Sequence, residues 1–326
     1  TTYAHAISFG SNDCLLPSIL HVDLAGRCFL TATDDSEVCS DLKLPLLLES
    51  AARYDHIAVV SFLALVFWQC RLWSENSIYK SHKIDWLVNV GLPTESYHDD
   101  SLSGSYKMII QAAWSLSFCK VITIQNANNL LTQFENENIV IPPEYLLEPD
   151  LLNLFPEFAA QIVGYVQSPS RREYSHLLID VGAGTLDVAM FTVKNDEGDW
   201  LFQTSGKDIT TLGADILAKH RVECSKTESA NGLPYFYTDE NELAKQLGIS
   251  SELLSEIDDP FERAVNRSLI EVVTSAAGGY KFSEEITTFI CGGGSNIALY
   301  NTEINRVRGH SPLKILPLPL PERLRF

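Results

Sequence analysis

Positive charge is scarce in this sequence. Lys and Arg total 24 against 42 Asp and Glu, a formal net charge of −18. Phosphate-coating nucleic-acid binders and proteins that dock on anionic lipid need a basic surface, so neither partner is expected. Metal-ligand spacing is lacking too. The seven cysteines stand apart at 14, 28, 39, 70, 119, 224 and 291, with no CxxC pair and no His cluster. That set reads as reduced thiols packed as small hydrophobes, which argues against structural zinc and predicts a cytoplasmic protein. No basic-then-apolar signal segment opens the chain. The longest apolar run, Ile57–Cys70, falls short of the roughly 20 residues a bilayer needs and is expected as a helix buried between layers. GxGxxG and GxxxxGK[ST] are missing, and Ser295 has no GxSxG context, which argues against a serine hydrolase. No short fixed repeat is present.

What is there is an ordinary globular composition: 45% hydrophobic, 20% charged and 10% aromatic residues over 326 positions, enough for two domains. Short strands are expected over Ala4–Phe9, Ser18–Val22, Arg27–Thr31 and Val121–Ile124, and a buried one over Ile84–Gly91. Leu44–Trp73 has helical spacing with a break near Tyr54, and Ser103–Ser117 and Phe158–Val166 read as helices. Trp68 and Trp73 are expected in a core. Asn126–Pro149 reads as a polar surface insertion, and Arg171–Glu173 as a break between domains. Beyond it, His176–Val181 and Leu186–Val193 form the cleanest strand pair, and Asn195–Gly198 turns into Trp200–Thr204. Leu212–Arg221 is helical. Residues 222–260 are polar and irregular apart from a short helix near Glu240–Leu247. Phe261–Ala276 is an amphipathic helix, Thr287–Cys291 a strand and Asn296–Glu303 a helix. The order suggests two α/β halves with mixed sheets flanked by helices.

Two motifs carry chemistry. In Asp180-Val181-Gly182-Ala183-Gly184-Thr185-Leu186-Asp187 an apolar strand ends in an acid, turns through glycines and returns with a second acid. Gly182 and Gly184 would permit torsions closed to other residues and bring main-chain N–H groups near an anion. Thr185 can donate to a phosphate oxygen. Asp180 and Asp187 can hold a hydrated Mg²⁺ that bridges to a polyphosphate. The second motif is Thr288-Phe289-Ile290-Cys291-Gly292-Gly293-Gly294-Ser295, a strand running into bare backbone ahead of a helix, where a flat ring or a phosphate could lie. His98-Asp99-Asp100 reads as a solvated turn rather than a metal site, and His220 as a helix-end residue.

Together the motifs resemble the actin, sugar-kinase and heat-shock-chaperone ATPase superfamily, nearest the ATPase domain of the seventy-kilodalton chaperones. DVGAGTLD is similar to its second phosphate loop and FICGGGSN to its adenosine loop. DWLVNVGLPTESYHDD with the helix after it, FPEFAAQIVGYV as a connecting helix and TTLGADILAKH follow in the family's order, so the likeness covers most of residues 57–300. It implies an α/β, two-lobed actin-like fold with a central nucleotide cleft. The lobes would be 1–170 and 171–310, with 222–260 a reduced outer subdomain and 311–326 an extended tail. It implies ATP or ADP with Mg²⁺ as ligands and slow γ-phosphate hydrolysis. Asp180 would position metal-bound water and Asp187 would support the metal. Gly182, Gly184 and Thr185 would hold phosphate, and Gly213 would lie near it. Gly292, Gly293, Gly294 and Ser295 would back the adenine and ribose. Glu157 is the candidate for polarising water, and a protein client or partner chain is implied.

The sequence departs from that pattern at several points. The first phosphate loop, Asp-x-Gly-Thr, is not found; the family pattern makes Thr1-Thr2-Tyr3 its tail, with the Asp and Gly upstream. The Ala-x-Gly closing helix has no match, nor does the chaperones' lysine. Phe155 stands where the chaperones carry Glu before the proline. A non-catalytic nucleotide sensor or scaffold of the same fold is therefore a second reading. A small-molecule kinase using Asp99 or Asp100 is a third, and a filament-forming cytoskeletal ATPase a fourth.

Overall fold

The computed structural model describes residues 4–5, 7, 16–40, 42, 46, 52–92, 100–226, 239–276, 285–319 and 324–325. The readings of Thr1–Tyr3, His98 and Asp99 lie outside them. The fold is mixed α/β. Two compact units divide the chain: Thr1–Ala160 with Pro321–Phe326, and Gln161–Leu320.

The first unit runs β1 (Ala4–His5), β2 (Leu20–Val22), β3 (Cys28–Phe29), β4 (Glu37–Cys39), α1 (Arg53–Asn76), β5 (Val88–Leu92), α2 (Asp100–Leu116), α3 (Ile124–Glu135) and β6 (Leu152–Pro156), and ends inside α4 (Glu157–Val166). β2 lies between β3 and β4 in an antiparallel sheet, and β5 pairs β6 in parallel. The core forms because α1 buries Ile57, Ala58, Val60, Ser61 and Ala64 while α2 buries Ile109, Ala112, Ala113 and Leu116, positions three and four apart on each helix.

Four expectations need correction here. Val121–Ile124 is not a strand: Thr123 is the N-cap of α3, its hydroxyl accepting the Asn126 N–H at 3.1 Å. The start of the supposed insertion is therefore helix, with Ala127 and Leu131 buried one turn apart. Its Asn and Gln residues occupy the other faces and mask that spacing. α1 starts at Arg53, where Asp55 accepts the Ala52 N–H, and runs past the apolar run to Asn76. At 24 residues it is the one described helix long and apolar enough to cross a membrane. Its first half is the central helix of this unit's core. Trp68, expected in the core, is 42% exposed, because α1 buries nothing between Ala64 and Ser74.

The second unit continues with β7 (Tyr174–Val181), β8 (Leu186–Asp196), β9 (Asp199–Thr210), α5 (Ala214–Ser225), α6 (Glu240–Leu247), α7 (Ser251–Ala276), β10 (Ile286–Cys291), α8 (Ala298–Arg308) and β11 (Leu313–Ile315). The last strand, β12 (Leu324–Arg325), belongs to the first unit, where it pairs β1 in parallel. The five-stranded sheet has the order β11-β10-β7-β8-β9. β11, β10 and β7 are parallel, while β8 and β9 return antiparallel. β7 is central, and its run Leu177, Leu178, Ile179 is buried on both faces, as a near-continuous apolar strand must be. α7 lays Phe261, Val265, Leu269 and Val272 against the sheet.

α7 does not begin at Phe261 as its spacing predicts. It starts at Ser251 and carries Pro260 within it. A proline removes one helical N–H and normally breaks a helix. Here outside contacts hold the turn around it. Arg221 of α5 donates twice to Asp258, at 2.8 and 2.6 Å, and His220 Nε2 donates to the Ile257 carbonyl at 2.9 Å.

His176 of β7 is fully buried, stacked on Phe191 at 4.9 Å. Its Nδ1–H donates to the Tyr174 carbonyl, and its Nε2 accepts from the Tyr165 hydroxyl at 2.8 Å. Tyr165 in turn accepts the Arg172 N–H. Both ring nitrogens are thus used by the neutral imidazole. Burial lowers its pKa from 6.5 to about 4. Between those values the unfolded chain binds a proton that the folded chain does not, so stability is full above pH 6.5 and falls toward pH 4. The expected loss is about 3 kcal/mol, at 1.36 kcal/mol per unit. Urea unfolding across this range should show a steeper decline in the native protein than in His176→Phe. Equal slopes would remove His176 as the cause.

Candidate functional site

Three loops of the second unit converge at the carboxyl ends of β7 and β10, the edge where open α/β sheets bind ligands. The first is the 180–187 turn. Asp180 and Asp187 are cross-strand partners, directly opposite on one face of the sheet, and Cys291 of β10 is the register partner of Asp180 on its other side. Gln161 of α4 donates through Nε2 to Asp180 Oδ2. Cys291 is hydrogen-bonded to Asp180, and burial together with that carboxylate pushes its thiol up to about 12. Asp180 is thus held from two sides.

The Gly182 amide closes the turn on the Thr185 carbonyl at 2.9 Å. Among the described residues no carbonyl accepts from the amides of Ala183, Gly184 or Thr185. Three consecutive N–H groups left this way make a concavity suited to an anion. Thr185 is buried at 6% exposure, while Ala183 is exposed.

The second loop braces the first. Gly213 is the N-cap of α5, and its amide donates to Gly184 O, followed by Ala214 N–H to Gly182 O and Asp215 N–H to Ala183 O at 2.8 Å. The start of α5 therefore spends its free donors on the carbonyls of the turn. A Cβ on Gly213 would sit 2.3 Å from Ala183 O. Tyr300 of α8, fully buried, donates to the Leu212 carbonyl at 2.7 Å and fixes the approach to this glycine.

The third loop is Gly292–Ser295. Ser295 N–H returns to Gly292 O, and Gly294 N–H donates to Val181 O at 2.9 Å. α8 begins only at Ala298, after this turn rather than at Asn296. The glycines here are not equivalent. Gly292 has φ 86, and a Cβ on it would lie 2.3 Å from both Asp180 Oδ1 and Val181 O. Gly294 packs on Val181 and Ala214, whereas a Cβ on Gly293 would meet nothing within 4 Å. Gly182 and Gly184 do not have positive φ, contrary to the sequence reading. At Gly182 the constraint is closeness, with Thr185 O 3.2 Å from a Cβ.

Asp180, Gly182, Gly184, Thr185, Asp187, Gly213 and Gly292–Ser295 are therefore neighbours in one place. Glu157 belongs to the first unit, where its Cγ lies 2.9 Å from the Cβ position of Gly91. The residue that touches Asp180 from α4 is Gln161, four positions later. Its side chain is an amide, not an acid.

The fit of a magnesium nucleotide can be judged from these contacts. Two carboxylates directly opposite each other repel, and a cation between them would relieve this. Among the described residues no group of three His, Cys, Asp or Glu side chains gathers as a metal site. A hydrated Mg²⁺ completed by phosphate oxygens needs only one or two carboxylates. The pair, the three amides and the open backbone at Gly293 fit such a ligand.

No protein-family model matches the chain, and no curated protein matches it. Among solved structures, one described as the pCBH ParM non-polymerisable quadruple mutant aligns with 93% of this chain and 82% of its own, at 14% identity and a TM-score of 0.45. A likeness at that level decides neither family nor function.

Proposed function

We propose that the second unit binds ATP or ADP with Mg²⁺ and turns ATP over slowly. The observation that supports this best is the convergence of three glycine loops on the Asp180–Asp187 pair, with the amides of Ala183, Gly184 and Thr185 unused by carbonyls. Those amides would take phosphate oxygens. Asp180, aligned by Gln161 and Cys291, and Asp187 would face the cation through water. The flat backbone at Gly292–Gly294 would take the nucleoside. The bound group itself would supply the transferable phosphoryl and the metal's charge. The chaperone-like resemblance, a cytoplasmic setting and a protein client or partner chain belong to this same reading.

Saturating Mg·ADP or Mg·ATP, at about 100 times its dissociation constant, is expected to add roughly 2.7 kcal/mol of stability. Gly293→Val should weaken that binding at least tenfold with little change in the free protein's stability, since a Cβ there meets nothing within 4 Å. Calorimetric titration and melting measure both. A melting temperature that ignores millimolar Mg·nucleotide would sink the reading.

One observation favours a binder without turnover. The α4 side chain on Asp180 is a neutral amide, and an amide cannot take a proton from water. Turnover far below the median enzyme rate of about 10 s⁻¹ is expected. A phosphate-release assay at or above that rate, abolished in Asp180→Ala, would exclude the non-catalytic alternative.

A further inference from the structure

Two side chains of α4 reach β7. Gln161 donates to Asp180 at the strand's carboxyl end. Tyr165, one helical turn later, donates its hydroxyl to His176 Nε2 at 2.8 Å near the strand's start. All four residues lie in the second unit.

The spacing ties the two contacts together. Four residues of helix rise about 6 Å, whereas four residues of strand span about 13 Å. His176 and Asp180 stand four positions apart on one face of the sheet, so Gln161 and Tyr165 must splay in opposite directions to reach both. Sliding α4 by one residue, about 1.5 Å, along β7 stretches one of these bonds as it slackens the other.

Tyr165 has little freedom to absorb such a slide. It is buried, its ring meets Phe289 of β10 edge-on at 4.6 Å, and its oxygen also accepts the Arg172 N–H at 2.8 Å. His176 is equally fixed, stacked on Phe191 with its Nδ1–H held by the Tyr174 carbonyl at 2.9 Å. Tyr174 presents that carbonyl from a left-handed backbone, φ 81. A bulky residue seldom adopts that conformation, which persists only where the surroundings enforce it. Gln161 is the looser member: among the described residues Asp180 is its one hydrogen-bond partner.

We infer that Tyr165 and His176 are positioning residues for the Asp180 site: their hydrogen bond fixes where α4 stands along β7 and so places the Gln161 amide on Asp180. The effect on a ligand rests on the magnesium-nucleotide reading above, whereas the placing of Gln161 does not.

The test compares Tyr165→Phe with the double variant Tyr165→Phe/His176→Phe, each in the full chain. Tyr165→Phe keeps the ring on Phe289 but strands the His176 nitrogen, so it also loses stability. The double variant removes both polar groups and should melt close to the native protein, because an apolar pair of similar shape needs no hydrogen bond. A purely structural role would have it restore the site as well; a positioning role would not. In ligand-free protein the side-chain amide resonances of Gln161, identified by their loss in Gln161→Ala, should stand apart from those of solvated glutamines. In both variants they should collapse onto them. Mg·ADP should bind both variants about tenfold more weakly than the native protein, a coupling typical of residues in one hydrogen-bond network. Gln161 resonances that keep their native positions in either variant would overturn the assignment, and so would native Mg·ADP affinity in the double variant. If the resonances collapse while the native protein itself ignores Mg·ADP, the placing of Gln161 stands and the nucleotide reading falls.

Discussion

Asp258→Ala is expected to lower the unfolding free energy by about 3–5 kcal/mol. The side chains of Arg221 and Asp258 are only 5% and 6% exposed, and they meet in a two-pronged contact. Removing the carboxylate strands a guanidinium where water cannot reach it, and the large figure comes from that stranded charge. The intact pair is worth much less, since each ion also lost its hydration on folding. Replacing both residues, with Leu at 221 and Met at 258, should therefore recover most of the loss. Urea unfolding of the two single variants and the double variant measures this directly. A cost below about 1 kcal/mol for Asp258→Ala would show that the pair does not anchor the first turns of α7 to α5.

Gly292→Ala should cost nearly as much, about 4 kcal/mol, for two separate reasons. A left-handed backbone angle at a residue with a Cβ costs roughly 1–3 kcal/mol. Overpacking a tight interior costs a similar amount, and here the new methyl would meet Asp180 Oδ1 and Val181 O at 2.3 Å. Because Asp180 must move, Mg·ADP binding should disappear along with the stability. Gly293→Ala is the control. It adds the same methyl to the same loop in open space, and should leave stability within about 0.5 kcal/mol of native. If the two variants melt alike, the loop does not press on β7 as described.

The sequence made the second unit's site legible and left much of the first unit obscure. The apolar run Leu177–Ile179 ending in Asp180, and the run Thr288–Ile290 ending in glycines, announce their strands by composition. That both motifs share one edge follows once β7 and β10 pair. Local reasoning could not find what depends on partners. Pro260 reads as a helix break because its compensation comes from Arg221 and His220 on another helix. Ala127 and Leu131 were hidden among Asn and Gln because only one narrow face of α3 is covered. Gly213 also braces the turn, a role set by the carbonyls it meets. Cys291 looked like one more buried thiol until the strand register put it opposite Asp180.

That register has a consequence for how the chain reaches its fold. β7, β8 and β9 are successive antiparallel strands joined by short turns, so they can pair as soon as they are synthesised. β10 joins β7 in parallel only after α5, α6 and α7 have been threaded between them. Closing so long a loop is entropically slow, and such pairings come late. The seam that closes last is the one where Cys291 and Gly292 meet Asp180. A refolding chain should therefore regain its β-hairpin signal well before it regains a competent site, and any ligand of that site would act as the clasp on a sheet already half built.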